Sequence, residues 1–136
     1  MTDRYRVAVV GLGNIGWRAD HDPVRPKPAS HVSAWESAHR ADLVAVCDSN
    51  SDQMFHKPSQ ALEYSDLDRM LKLDGPFDIV SVATPPATHR EIVEACAAAK
   101  VRLIVCEKPL ALTSEDAEAM VVACQQTGTI LLVNHF

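Results

Sequence analysis

The chain has 136 residues, 47% of them hydrophobic and 23% charged, and its formal net charge is −5. These values describe one globular domain, residues 1–136, with room for a real core. The negative balance speaks against a nucleic-acid partner, and no apolar run approaches the ~20 residues that a membrane-spanning helix requires.

The chain opens Met-Thr-Asp-Arg-Tyr-Arg and runs straight into a strand pattern, with no charged-then-apolar leader. A cytoplasmic protein is expected. Cys47, Cys96, Cys106 and Cys124 each sit inside an apolar segment and form no C-x-x-C pair. They read as small buried hydrophobes rather than as disulfides or metal ligands.

Arg6–Val10 (RVAVV) is a β-branched run that stops at Gly11. Gly11-Leu12-Gly13-Asn14-Ile15-Gly16 follows at once, with G-x-G-x-x-G spacing. Glycines are common in turns, so the spacing alone is weak. Its place between a strand and a helix gives it weight. Gly11 permits the tight turn, Gly13 lets the backbone approach a diphosphate, and Gly16 lets helix and strand pack closely. A helix beginning after Gly13 would offer free N–H groups to the phosphates.

That helix is expected to break near Asp20. Pro23, Pro26 and Pro28 fall within Asp20–Ser30, and no α-helix runs through them. It is expected to resume around Ser30–His39. The loop carries Asp20, His21 and Asp22, with His31 just beyond. These lack the helical spacing of metal ligands and read instead as a flap near a cofactor; no metal is expected.

Leu43–Cys47 (LVAVC) is the second strand, and Asp48 ends it. A carboxylate there accepts from ribose hydroxyls and repels a 2′-phosphate, which favours NAD over NADP. The gap from Gly16 exceeds the usual ~20 residues, and the proline-rich insertion accounts for the excess. Ser49 and Asn50 are further candidates for the ribose. A plain strand-end turn is the competing reading of Asp48.

A weak stretch, Ala61–Tyr64, suggests an edge strand. Ser65 and Asp68 have capping spacing for a short helix toward Leu71. Phe77–Ala83 (FDIVSVA) is the third main strand. Thr84, Pro85 and Pro86 follow it and would stiffen a loop against a flat ring. Thr88 and Glu91 have capping-box spacing for a helix over Thr88–Lys100. His89 reads equally as a surface residue at a helix start and as a cofactor contact.

Val101–Cys106 is the fourth strand, and Glu107-Lys108-Pro109 ends it. A solvated strand-end lysine is the ordinary reading. Beside a dinucleotide, Lys108 would point toward the nicotinamide end, hold a substrate hydroxyl and help move its proton. Glu107 would pair with Lys108 or orient it. Thr113–Gln126 is a helix capped by Thr113 and stopped by Gly128, and Ile130–Val133 is the last strand. Apolar strands alternating with helices give an α/β class, a doubly wound parallel sheet with right-handed crossovers.

Five motifs carry more than spacing. VAVVGLGNIG at Val7–Gly16, AVCDSN at Ala45–Asn50, ATPPATH at Ala83–His89, CEKPLA at Cys106–Ala111 and VNHF at Val133–Phe136 resemble the N-terminal half of the Gfo/Idh/MocA oxidoreductases, the glucose–fructose oxidoreductase and inositol dehydrogenase family. The resemblance implies a Rossmann domain, bound NAD or NADP, and hydride transfer between a hydroxyl-bearing carbon and nicotinamide, with a sugar or polyol as substrate. It places Lys108 near nicotinamide and substrate. It also implies a second, C-terminal α+β domain absent from these residues, so the chain alone is expected to be inactive. A homo-oligomer is expected, with Ile130–Val133 as an exposed edge that self-associates. The rival reading is a non-catalytic dinucleotide sensor or a protein-interaction module, which has no need of Lys108.

Overall fold

The computed structural model describes residues 4–53 and 60–135. Among them the strands are β1 (Tyr5–Val10), β2 (Ala41–Cys47), β3 (Leu62–Tyr64), β4 (Ile79–Val82), β5 (Leu103–Glu107) and β6 (Ile130–Asn134). The α-helices are α1 (His31–Ser37), α2 (Leu67–Leu73), α3 (His89–Ala98) and α4 (Ser114–Thr127). The sheet order is β3-β2-β1-β4-β5-β6, and every neighbouring pair is parallel.

This is the Rossmann order, and it fixes where a site can lie. All strand carboxyl ends meet at one edge of the sheet, and the order reverses between β1 and β4. The crevice at that reversal is where ligands bind in open α/β sheets. β1 and β4 are central, and the last four residues of β1 and all of β4 are buried. That burial explains their apolar sequence, and the one polar residue, Ser81, accepts from Trp35 Nε1 at 2.7 Å.

α2, α3 and α4 cover one face. Met70, Ile92, Cys96, Met120 and Cys124 pack there against Val80, Val82 and Ile104. All four cysteines belong to this core as free thiols. Burial pushes the Cys47, Cys96 and Cys106 thiols up to about 12, so they remain protonated hydrophobes, as their apolar settings predict.

α1 covers the other face over β1 and β2, where Val32 meets Val9, Leu12 and Val46. Its His31 reaches Glu107 of β5, and its Trp35 joins the cluster that Leu103 and Val105 border. The register pairs Leu103 with Ile130 and Val105 with Leu132. Ile130 and Leu132 are 64% and 47% exposed.

Two caps differ from expectation. Asp66, not Ser65, caps α2 by accepting from Arg69 N. The Thr88 side chain caps nothing; its Oγ1 donates to Thr84 Oγ1 and to the Pro85 carbonyl, each at 2.8 Å. Pro85 and Pro86 start a 3-10 turn that leads into α3, so the helix needs no side-chain cap at that point. Thr113 accepts from Asp116 N, and Gly128 closes α4 at φ 72°, both as the sequence suggests.

Candidate functional site

The site begins where β1 stops. Gly11 has φ 97°, and a Cβ there would lie 2.7 Å from the Ala83 carbonyl. Only glycine lets the ends of β1 and β4 approach this closely. A Cβ on Gly16 would lie 1.9 Å from Gly11 O, so the turn folds back onto itself. Gly13 is the opposite case: a Cβ there would meet no atom within 4 Å. Its missing side chain opens the backbone to the cleft. The N–H groups of Gly13, Asn14 and Ile15 have no partner among the described residues, which leaves them available to an anion.

No α-helix follows directly, contrary to expectation. Trp17 N and Arg18 N bond Gly13 O, Ala19 N bonds Asn14 O, and a 3-10 turn runs over Arg18–His21. The three prolines beyond prevent this turn from growing into a helix. The chain then leaves and returns. Asp20 gathers the return by accepting from Ala29 N at 2.9 Å, from Ser33 Oγ at 2.8 Å and from Ser30 Oγ. Burial pushes the Asp20 carboxyl up, but these bonds and the Lys27 ammonium hold it below its ordinary value. Lys27 Nζ closes the loop on the carbonyls of Asp20 at 2.6 Å and Asp22 at 2.8 Å.

α1 starts where the sequence suggests, after Ser30, whose hydroxyl accepts from Ser33 N. His31 N and Val32 N donate to Ile15 O and Gly16 O, each at 3.0 Å. The helix is thus seated on the glycine turn, with residues 17–30 closed off as a loop. That loop accounts for the long gap to Asp48. His21 packs edge-on against Trp17 and His31 faces Glu107, so among the described residues no metal-binding cluster forms around Asp20.

Asp48 stands beside the turn. Its carboxylate accepts from Leu12 N and from Asn50 N, both at 2.8 Å. A cleft of about 610 Å³ runs between them, lined by Gly11, Gly13, Asp48, Ser49, Thr84 and Pro85 among others. Six of the residues expected at a cofactor therefore line one cavity. Asn14 is exposed, Ile15 borders a second and smaller pocket, and Pro86 lies half-buried in its 3-10 turn.

His89 is not a surface residue. It is fully buried, with Nε2 2.8 Å from Thr84 O and Nδ1 3.0 Å from Leu110 O. It ties together the loops after β4 and β5 from beneath.

Lys108 is exposed at the end of β5, at the same edge as the glycine turn. Its ammonium makes no hydrogen bond or ion pair among the described residues. Glu107 does not pair with that ammonium. It is 5% exposed, and its Oε1 accepts from His31 Nε2 at 2.8 Å and from Asn134 Nδ2 at 2.6 Å. Successive strand residues point to opposite faces, which separates the two neighbours. Burial pushes the Glu107 carboxyl up, and the bonds from Asn134 and His31 outweigh it and hold the group below its ordinary value. Sequence reasoning missed both partners. His31 was legible only as part of a loop histidine cluster, and Asn134 only as the end of a strand.

Residues 5–135 match the model of the family described as oxidoreductase, NAD-binding Rossmann fold. The chain belongs to the Gfo/Idh/MocA family. It is 39% identical over 135 residues to the D-apiose dehydrogenase of Paraburkholderia graminis, covering 96% of this chain and 32% of that protein. It is 31% identical over 129 residues to the myo-inositol 2-dehydrogenase of Thermotoga maritima, covering 93% and 34%. The WlbA dehydrogenase of Bordetella pertussis, solved in complex with NADH and UDP-GlcNAcA, superimposes with a TM-score of 0.80 at 30% identity, covering 96% of this chain and 37% of that one. The chain thus spans about a third of the length of the curated relatives it matches.

The family's cofactor fits the residues present. NAD needs an uncrowded backbone at its diphosphate, which the open Gly13 provides. It also needs an acceptor at its adenosine ribose, which Asp48 provides on the wall of the same cleft. Among the described residues, no helix is long and apolar enough to cross a membrane.

Proposed function

We propose that this chain is the cofactor-holding part of a cytoplasmic, oligomeric dehydrogenase whose substrate is a sugar, a polyol or a related hydroxyl compound. When bound, NAD supplies the hydride acceptor or donor at nicotinamide C4. The N–H groups of Gly13, Asn14 and Ile15 receive the diphosphate, and Ser49 supports Asp48 at the adenosine ribose. Thr84, Pro85 and Pro86 form the wall along the middle of the dinucleotide. His89 sets that wall from beneath by bonding the Thr84 carbonyl.

Asp48 also selects the cofactor. Both of its oxygens already accept a backbone N–H, and its charge opposes a 2′-phosphate, so NAD is preferred over NADP. Lys108 contacts the nicotinamide half of the cofactor and donates a hydrogen bond to the substrate hydroxyl, and so holds the carbon that gives up its hydride. As that hydride leaves, the hydroxyl proton passes to solvent water and a carbonyl forms.

The single observation that carries this reading is the 2.8 Å bond from Leu12 N to Asp48, which brings the acidic strand end onto the glycine turn. D-apiose dehydrogenase and myo-inositol 2-dehydrogenase among the relatives support the substrate class. The chain alone is proposed to bind NAD without turning over, because correct placement of a substrate contributes about 7–11 kcal/mol to such reactions and this chain covers only a third of its relatives. Calorimetric titration of NADH into the folded chain tests the binding half, with a one-to-one isotherm expected. No heat at millimolar NADH would overturn it. Lys108→Ala in a whole enzyme tests the chemical half; an unchanged rate would favour a dinucleotide sensor instead.

A further inference from the structure

A polar cluster lies at the β5–β6 end of the carboxyl edge, outside the cleft that contains Asp48. Its centre is the buried Glu107 carboxylate. Two side-chain donors reach its Oε1 from two elements: His31 Nε2 from α1 and Asn134 Nδ2 from β6. The sheet register sets Asn134 directly opposite Glu107. His31 is held in turn by its own N–H on the carbonyl of Ile15, inside the glycine turn. A pocket of about 240 Å³ opens onto the cluster, lined by Ile15, Pro28, Ser30, His31, Asn134 and Ala34 among others.

A buried carboxylate is costly unless its lone pairs are filled. Here Oε1 takes both His31 Nε2 and Asn134 Nδ2. The arrangement has a consequence for Lys108. A carboxylate one residue away is a ready partner for an ammonium, yet this one is engaged inside the fold. Held there, it anchors the strand end next to Lys108 and leaves the Lys108 side chain unclaimed.

We propose that His31 and Asn134 are positioning residues for the nicotinamide half of the cofactor: by gripping Glu107 they fix the backbone of Lys108 and keep its ammonium free at the site. The inference rests on the assignment of Lys108 made above. It gives a role to the proline-rich excursion as well. By returning at Ser30, the loop delivers His31 to Glu107, so the glycine turn that receives the diphosphate and the strand end that carries Lys108 are tied by one side chain.

The test compares NADH with ADP-ribose, which lacks the nicotinamide, by calorimetry on the chain and its variants. His31→Leu and Asn134→Leu are expected to weaken NADH about tenfold, the value of one charge-assisted hydrogen bond, and to leave ADP-ribose within about twofold. His31→Gln, whose amide still donates, is expected to recover most of the loss. In a Lys108→Met background, His31→Leu is expected to add nothing, because both act through one group. Equal weakening of both ligands would reduce the cluster to a structural role and overturn the proposal. So would folded variants with wild-type NADH affinity, or losses that add to that of Lys108→Met. A wild-type chain that binds neither ligand would overturn the cofactor reading as well; one that binds both, with variants indistinguishable from it, would overturn this proposal alone.

Discussion

Leu12 donates its backbone N–H to the Asp48 carboxylate at 2.8 Å, across 36 residues of sequence. The bond joins the turn after β1 to the end of β2, and it does so without help from a helix. The same carboxylate takes Asn50 N on its other oxygen. Asp48 is therefore an architectural residue before any cofactor arrives.

Asp48→Ala separates the two roles. Loss of two hydrogen bonds to a partly exposed carboxylate is expected to cost about 1–3 kcal/mol of stability. Removal of the negative charge is expected to narrow the preference for NADH over NADPH by about tenfold or more. Thermal melts check the first effect and paired titrations with the two cofactors check the second. A variant that keeps full NADH preference would show that Asp48 shapes the turn and nothing else.

Gly13 and Gly16 predict opposite outcomes for the same substitution. Gly13→Ala places its methyl in open space, so the melting temperature is expected to stay within about 2 °C of wild type. The methyl points at the proposed diphosphate position, and NADH affinity is expected to fall by about tenfold or more. Gly16→Ala places its methyl 1.9 Å from Gly11 O, and backbone must move. A loss of about 2 kcal/mol or more is expected. Melts and titrations on both variants decide the matter; a Gly13→Ala chain that binds normally would remove the diphosphate from this turn.

The sheet was legible in the sequence because each strand is a short β-branched or small apolar run ended by a glycine, an aspartate or a proline. The pairing of Gly11–Gly16 with Asp48 was legible for the same reason: both sit at strand ends, and parallel strands bring their ends together. The first turn was not. A G-x-G-x-x-G stretch suggests a helix; the prolines placed the break near Asp20 and the return at Ser30, but not that the segment before the break is a 3-10 turn instead of an α-helix. Of the two roles expected of Glu107, the pairing with Lys108 was misread, because sequence adjacency suggested it. In a strand, neighbours diverge, and the true partners lie 76 and 27 residues away. Of the two readings of His89, the surface one fails, because this helix start lies beneath two loops.

The Glu107 cluster predicts an acid limb in stability. The carboxyl is held below its ordinary value of 4.5 in the folded chain. The stabilisation is therefore fully present above about pH 4.5 and is lost as pH falls through the lower, folded value. Glu107→Gln is expected to be less stable than wild type at pH 7, and the difference is expected to shrink as pH drops below 4.5. Melting curves taken stepwise from pH 7 to the acid limit measure it. A gap that stays constant with pH would mean that shape, not charge, holds the cluster. Asp20 has the same sign, so Asp20→Asn is expected to behave alike, with its effect centred on the loop.

The outer strand gives the last prediction. β6 is an edge, and on one face its exposed Ile130 and Leu132 lie beside the partly buried Leu103 and Val105 of β5. An unpaired strand edge next to exposed apolar side chains invites a second copy of the chain to pair with it. The isolated chain is expected to self-associate with rising concentration. Ile130→Lys together with Leu132→Lys places two charges on that face, and these are expected to restore the monomer while leaving the distant Gly13–Asp48 cleft able to bind NADH. Sedimentation velocity on both proteins checks the first point and titration the second. A wild-type chain that remains monomeric at high concentration would show that the β6 edge is adequately protected as it stands.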